Sequence, residues 1–186
     1  MFANTWKAGV FGACALAASA TVWAEGFTLG SPTVGDGQRM AEQQVFNGFG
    51  CAGGNVSPAL VWRNPPEGTQ SYALTVYDPD APTGSGWWHW VVVNLPAQTT
   101  GLAAGAGNPQ GVLPAGARQI GTDFGVPGYG GPCPPQGHGV HRYVFTVHAL
   151  KTPHLDLPAN ATAALAGFMI RANSLGSASL TATYSR

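Results

Sequence analysis

The sequence predicts a mainly β protein: an all-β sandwich or Greek-key arrangement of antiparallel sheets with peripheral helices, one of them near the C-terminus. Charged side chains make up only 9% of the 186 residues and hydrophobic ones 45%, and there are 27 glycines and 15 prolines. Few charges and many turn formers disfavour long surface helices and favour short strands joined by turns. The length suits one domain, because two domains would each be too small to bury a good core.

Hydrophobic patterning predicts the individual elements. Residues 88–95 are almost continuously apolar, which is typical of a central strand buried on both faces. Apolar residues at helical spacing predict a helix within residues 159–172, with Asn160 or Thr162 as its N-cap. Residues 99–116 are poor in strand formers and predict a long irregular loop. Besides the strand at 88–95, strands are predicted at 59–62, 72–77, 143–150 and 179–184. The pattern leaves the order of the strands in the sheets open.

The amino terminus has the pattern of a secretory signal peptide. Lys7 is followed by a small apolar run over residues 8–20 and then by a Val-x-Ala sequence that ends at Ala24. The signal peptide is therefore predicted to span residues 1–24, with cleavage after Ala24 or, as the alternative, after Ala20. A signal of this kind predicts a periplasmic or secreted protein.

Cleavage would leave a single domain, residues 25–186, with two of the three cysteines. In an oxidising compartment Cys51 and Cys133 would form a disulfide, and two buried free thiols are the alternative. Cys14 raises the further alternative of a lipoprotein, although the residues before it are a poor lipid-attachment context.

Charge and motif content disfavour several function classes. Eight basic and eight acidic side chains cancel, and no basic block is visible, so nucleic-acid binding is not expected. No span suited to a membrane follows the first two dozen residues. The sequence has no His-Glu-x-x-His, Gly-x-Ser-x-Gly or Walker motif, which argues against the common hydrolase types.

Polar residues gather beside the apolar strands in three places. Asp78-Pro79-Asp80 follows a predicted strand. It either supplies two carboxylates to a site or forms a simple turn. His89 lies within an apolar run. It is either a site residue or a core histidine whose hydrogen bonds are made within the protein. A Gly/Pro-rich loop at 130–139 leads into a strand on which His141 and Tyr143 share one face.

These three motifs together resemble the phosphatidylethanolamine-binding protein family, also known through the Raf-kinase inhibitor protein, and in particular its small bacterial YbhB/YbcL-like branch. The resemblance covers nearly the whole predicted mature chain. The matching segments are Tyr77-Asp78-Pro79-Asp80-Ala81-Pro82, Trp88-His89-Trp90-Val91-Val92-Val93-Asn94-Leu95-Pro96, and Pro134-Pro135 through His141-Arg142-Tyr143.

The resemblance implies a small anion-binding pocket at one end of the sandwich, with no cofactor and no metal ion. Trp88 stands where vertebrate members carry a second histidine, and Cys133 lies inside the Gly/Pro loop. Both departures weaken transfer of the kinase-inhibitor role. The ligand-binding residues implied are Asp78, Asp80, Pro82, Trp87 at the rim, His89, Gly131 with its backbone N–H, Pro135, His141 and Tyr143.

The function expected is that of an exported, non-enzymatic binding protein for phosphate or a phospholipid head group. Charged rings of His89 and His141 would donate to the anion, whereas His138 and His148 are expected to have no role. A protein partner such as a kinase or protease, and a homodimer, are both left open. The alternative is a metal-dependent or acid/base hydrolase that uses the same Asp/His cluster.

Overall fold

The computed structural model describes residue 1 and residues 26–186. Apart from residue 1, the predicted signal peptide lies outside the described residues, as do both of its cleavage points and Cys14. In the described part of the chain, no helix combines the length and the apolar character needed to cross a membrane.

Ten strands and one helix form the described domain. The strands are β1 (Thr28–Gly30), β2 (Asn47–Gly48), β3 (Cys51–Ala52), β4 (Leu60–Arg63), β5 (Ser71–Asp78), β6 (Trp87–Pro96), β7 (Gly101–Leu102), β8 (Arg118–Gln119), β9 (His141–Leu150) and β10 (Ser174–Tyr184), and the helix is α1 (Ala163–Asn173).

The strands form two main antiparallel sheets and a small hairpin. The larger sheet has the order β10-β9-β5-β6-β8, the smaller has the order β1-β4-β7, and β2 pairs with β3. The mainly β fold class with a helix near the C-terminus is therefore confirmed. In place of several peripheral helices, the described residues contain one.

Two hydrophobic cores lie on opposite faces of the five-stranded sheet. Between the sheets, Trp62 of β4 is buried with Val76 of β5. On the other face, Val91 of β6 is buried with Ala166 and Ile170 of α1. Because β6 is covered on both faces, it shows a continuous apolar run instead of alternation.

A β-bulge in β6 decides where His89 points. Val76 pairs with Trp90 and Tyr77 pairs with Trp88, so His89 is an extra residue opposite this pair of neighbours. Trp90 lies in the core between the sheets, whereas Trp88 packs against the helix-side core. The bulge therefore places the two tryptophans on opposite faces, although simple alternation would place them on the same face.

The predicted elements are present with shifted ends. All five predicted strands occur, and α1 begins after Thr162, whose Oγ1 accepts a hydrogen bond from Leu165 N at 3.2 Å. The structure thus selects Thr162 over Asn160 as the N-cap. The predicted irregular loop at 99–116 contains one two-residue strand, β7.

Candidate ligand-binding site

Asp78 ends β5 with a buried carboxylate that accepts two hydrogen bonds. Asp78 is only 3% exposed, and its Oδ1 accepts a hydrogen bond from Asp80 N at 2.8 Å. Its Oδ2 lies 2.7 Å from His141 Nδ1 at the start of β9. Since a carboxylate oxygen only accepts, His141 Nδ1 carries the proton of this bond.

His138 extends this pair toward the protein surface. Its Nδ1 lies 2.8 Å from Nε2 of His141, so one ring donates a hydrogen bond to the other. The sequence gives His138 no role, but the structure places it in a continuous hydrogen-bonded chain with His141 and Asp78. A histidine in a loop gives no sequence signal for such a contact.

Asp80 faces Arg142 and is not among the residues that line the cavity, so its direct contact with a ligand stays a prediction. Arg142 Nε donates to Asp80 Oδ2 at 2.9 Å, and NH2 donates to Oδ1 at 2.7 Å. This bidentate contact lowers the pKa of Asp80 to about 2. Asp80 also donates its backbone N–H to Asp78, and its charge contributes to the raised pKa of Tyr143.

His89 is held as a neutral ring. Its Nδ1 donates to Gly130 O at 2.6 Å, and burial lowers its pKa to about 4 despite the opposing effects of Gly130 O and of Asp78. In the free protein, His89 is therefore uncharged at neutral pH, and the charged ring expected beside a bound anion stays a prediction. The ring offers Nε2 as a hydrogen-bond acceptor instead.

Gly131 supports the Gly/Pro loop from behind and does not line the cavity. Its N–H donates to Asn55 Oδ1 at 2.8 Å, so this donor is not available for a ligand. A Cβ at this position would overlap the carbonyl oxygen of Gln44. The glycine is therefore needed for the close approach of two backbone segments, and its assignment to the ligand set stays a prediction.

The remaining predicted residues converge on one cavity of about 200 Å³. The predicted polar residues among its lining are Asp78, His89, His141 and Tyr143, and Pro82, Trp87 and Pro135 complete the predicted set. Burial strongly raises the pKa of Tyr143, so its phenol stays protonated and can donate. The lining residues that the sequence did not predict are Phe49, Ala81, Thr83, Phe124, Cys133 and Pro134.

Comparison with known proteins shows the family to which this fold belongs. The sequence profile of the phosphatidylethanolamine-binding protein family matches residues 30–185. The chain belongs to this family. The resemblance carried by the three sequence motifs is therefore confirmed.

Bacterial members of the family are close in sequence and in structure. UPF0098 protein YbcL of Escherichia coli is 51% identical over 162 residues, 87% of this chain and 88% of YbcL. UPF0098 protein YbhB of the same organism is 52% identical over 150 residues, 81% of this chain and 94% of YbhB. The crystal structure of YbcL, described as a new member of the mammalian PEBP family, matches with a TM-score of 0.85 and 50% identity over 87% of this chain and 99% of YbcL.

The cysteine pair of this family member forms a disulfide. Cys51 and Cys133 are joined with their Cα atoms 6.0 Å apart, which connects β3 to the Gly/Pro loop. A chain named as a lipoprotein, LppC of Mycobacterium tuberculosis, is 40% identical over 162 residues, 87% of this chain and 73% of LppC. A disulfide and such a relative are both typical of a protein outside the cytoplasm.

An aromatic rim surrounds the cavity of this family member. Phe49 is 66% exposed, and its φ of 53° lies in the left-handed region, which bulky residues rarely adopt. Its ring stacks on Phe124 at 5.9 Å between centroids, and Trp87 meets the edge of Phe124 at 5.5 Å. The sequence signal that could have found Phe49 is an aromatic residue between two glycines.

The acid and histidine residues do not form a metal centre. Among residues 26–186, no three His, Cys, Asp or Glu side chains are placed to hold a metal ion together. The Asp78 carboxylate and the His141 ring have all their polar atoms engaged within the protein. What the site offers a ligand is Nε2 of His89 and the phenol of Tyr143 under an aromatic rim.

Proposed function

We propose that the protein is an exported, non-enzymatic binding protein whose cavity takes the phosphate group of a small ligand or of a phospholipid head group. The observation that carries the proposal is the convergence of Asp78, His89, His141 and Tyr143 on one small cavity with an apolar rim. Polar groups at the bottom of an otherwise apolar cavity are typical of a ligand site.

The carboxylate of Asp78 does not prevent anion binding. One of its oxygens accepts from His141 and the other from Asp80 N, so two donors offset its negative charge. Tyr143 has a protonated phenol that can donate to a phosphate oxygen.

His89 makes phosphate binding dependent on pH. Because Gly130 O holds Nδ1, Nε2 is the ring nitrogen left for a ligand. A phosphate beside the ring favours its charged form and so raises its pKa above about 4. Binding therefore takes up a proton at pH values between the free and the bound pKa, so phosphate binds more tightly at pH 5.5 than at pH 8.

Export is supported by the predicted signal peptide and by the disulfide between Cys51 and Cys133. A binding role without catalysis is supported by the lack of common hydrolase motifs in the sequence. A protein partner, such as a kinase or protease, would contact the exposed aromatic rim.

Isothermal titration calorimetry of the oxidised chain from residue 25 with inorganic phosphate and with phosphoethanolamine tests the proposal. We expect saturable binding that weakens at least tenfold in His89→Ala and in Asp78→Asn. The matched controls are His154→Ala and Asp156→Asn, which change exposed residues of the same types. Titration in two buffers of different ionisation enthalpy measures the proton uptake.

The proposal fails if the folded protein shows no saturable binding of either probe. It also fails if both site variants bind as tightly as their controls. Equal affinities at pH 5.5 and pH 8 would overturn the assigned role of His89.

A further inference from the structure

A second cavity, here called the α1 groove, lies between the helix and the outer face of the five-stranded sheet. Its volume is about 260 Å³, which suits a ligand smaller than a typical drug molecule. The residues that matter for its chemistry are Thr75, Tyr77, Trp88, His148, Gly167 and Arg171.

The α1 groove and the phosphate cavity are built from alternate residues of the same strands. On β5, Asp78 lines the phosphate cavity, whereas Thr75 and Tyr77 line the groove. On β9, Tyr143 lines the cavity and His148 lines the groove. Because successive side chains of a strand point to opposite faces, the two sites are separate.

One wall of the groove is aromatic. The rings of Tyr77 and Trp88 are in contact, with their centroids 4.7 Å apart. Gly167 of α1 lies above Trp88, and a Cβ there would be 3.6 Å from the indole ring. Since 3.6 Å is an ordinary van der Waals distance, the helix backbone at Gly167 packs close to the indole ring and forms one edge of the groove.

Arg171 supplies an uncompensated positive charge. It is exposed, and it forms no salt bridge with any residue in the described part of the chain. No acidic residue is among the described residues that line the groove. Burial and, to a lesser extent, Arg171 lower the pKa of His148 to about 4, so that ring is neutral and Arg171 is the cation of the groove.

The floor of the groove can form hydrogen bonds. His148 Nε2 lies 3.3 Å from Thr75 Oγ1, and both residues line the groove. The groove thus combines a guanidinium, a flat aromatic wall and a polar floor. A guanidinium matches the geometry of a carboxylate, and an indole face packs against planar apolar groups.

We propose that the α1 groove is a second ligand site, which binds a small planar anion of the aromatic carboxylate class. The aromatic part of the ligand packs against the wall formed by Tyr77 and Trp88, and its carboxylate pairs with Arg171. This site is independent of the phosphate cavity and does not require it to be occupied.

Calorimetric titration with 2-naphthoate tests this site, with the cation 2-naphthylmethylamine as the charge control. We expect saturable binding of 2-naphthoate that weakens at least tenfold in Arg171→Gln. Arg63→Gln removes an exposed arginine on the other sheet and leaves the affinity unchanged. His89→Ala also leaves it unchanged, which separates this site from the phosphate cavity.

Gly167→Leu provides a second variant that fills the groove without weakening the helix, since leucine has the higher helix propensity. We expect it to lose 2-naphthoate binding while its thermal midpoint does not fall. In ¹⁵N NMR spectra, 2-naphthoate should shift the Gly167 amide and the Trp88 indole signals.

Three results would overturn the proposal. The first is affinity for 2-naphthoate that is equal in Arg171→Gln and the unmodified protein. The second is loss of binding in His89→Ala with retention in Arg171→Gln. The third is equal affinity for the amine and the carboxylate.

Discussion

Removal of the disulfide should lower both the stability of the domain and its affinity for phosphate. Cys51 and Cys133 are 82 residues apart in sequence, and their bond fixes the Gly/Pro loop against β3. Cys133 also lines the cavity that we propose binds phosphate. The double variant Cys51→Ala/Cys133→Ala therefore releases a wall of the site as well as a long closed loop.

The expected loss of stability follows from the length of that loop. For a separation of 82 residues, the chain-entropy relation gives about 4.5 kcal/mol at 25 °C. A domain of ordinary stability, about 5–15 kcal/mol, would then stay folded with a small margin or unfold in part. With a urea m-value of about 2 kcal/mol per molar, the midpoint of unfolding should fall by about 2 M.

Equilibrium urea unfolding of the oxidised protein and the double variant measures this shift, with reduced unmodified protein as a second route to the same state. Phosphate titration below the transition then compares affinities in folded samples. We expect weaker binding in the variant, because its loop must become ordered on binding. A midpoint shift below about 0.5 M with an unchanged m-value would refute the entropic reasoning.

Three further predictions concern the fold. Gly131→Ala should destabilise the domain by at least about 2 kcal/mol, because its Cβ would overlap a backbone carbonyl oxygen. The control Gly121→Ala should not destabilise it, because the nearest atom to that Cβ would be 3.9 Å away. Urea unfolding compares the two variants. The folded-state pKa values of His89 and His148 are about 4, below the ordinary 6.5, so the unfolded chain binds protons that the folded one does not. Stability should therefore fall as the pH is lowered from 6.5 through 4, and His148→Gln should reduce the slope of urea midpoint against pH. Thr162→Ala should cost about 1 kcal/mol in the same assay, since it removes the N-cap of α1, and an unchanged midpoint would contradict that role.

Much of the fold follows from local patterns. Alternating segments predicted the strands that became β5 and β9, and a continuous apolar run predicted the doubly covered strand β6. These signals are reliable here because each strand buries at least one face along its whole length. Very short strands such as β1 and β8 lack enough residues to show a period, and the sequence analysis missed them.

The candidate site was predicted less completely. Spacing within a strand correctly placed His141 and Tyr143 on one face, and both line the cavity. Asp80, which the resemblance implied, has its carboxylate turned by the proline bend toward Arg142 on β9. Neither spacing nor resemblance predicted the contact of His138 with His141, which depends on the path of a loop.

The sequence by itself determined the fold class, the family and the residue types gathered near the site. Apolar periodicity and short motifs are written along the chain and can be read locally. Tertiary structure alone decided that a bulge turns His89 toward the cavity, that burial and Gly130 keep its ring neutral, and that alternate residues form a separate α1 groove. Register, burial and charge pairing depend on segments far apart in sequence, so no local pattern can encode them.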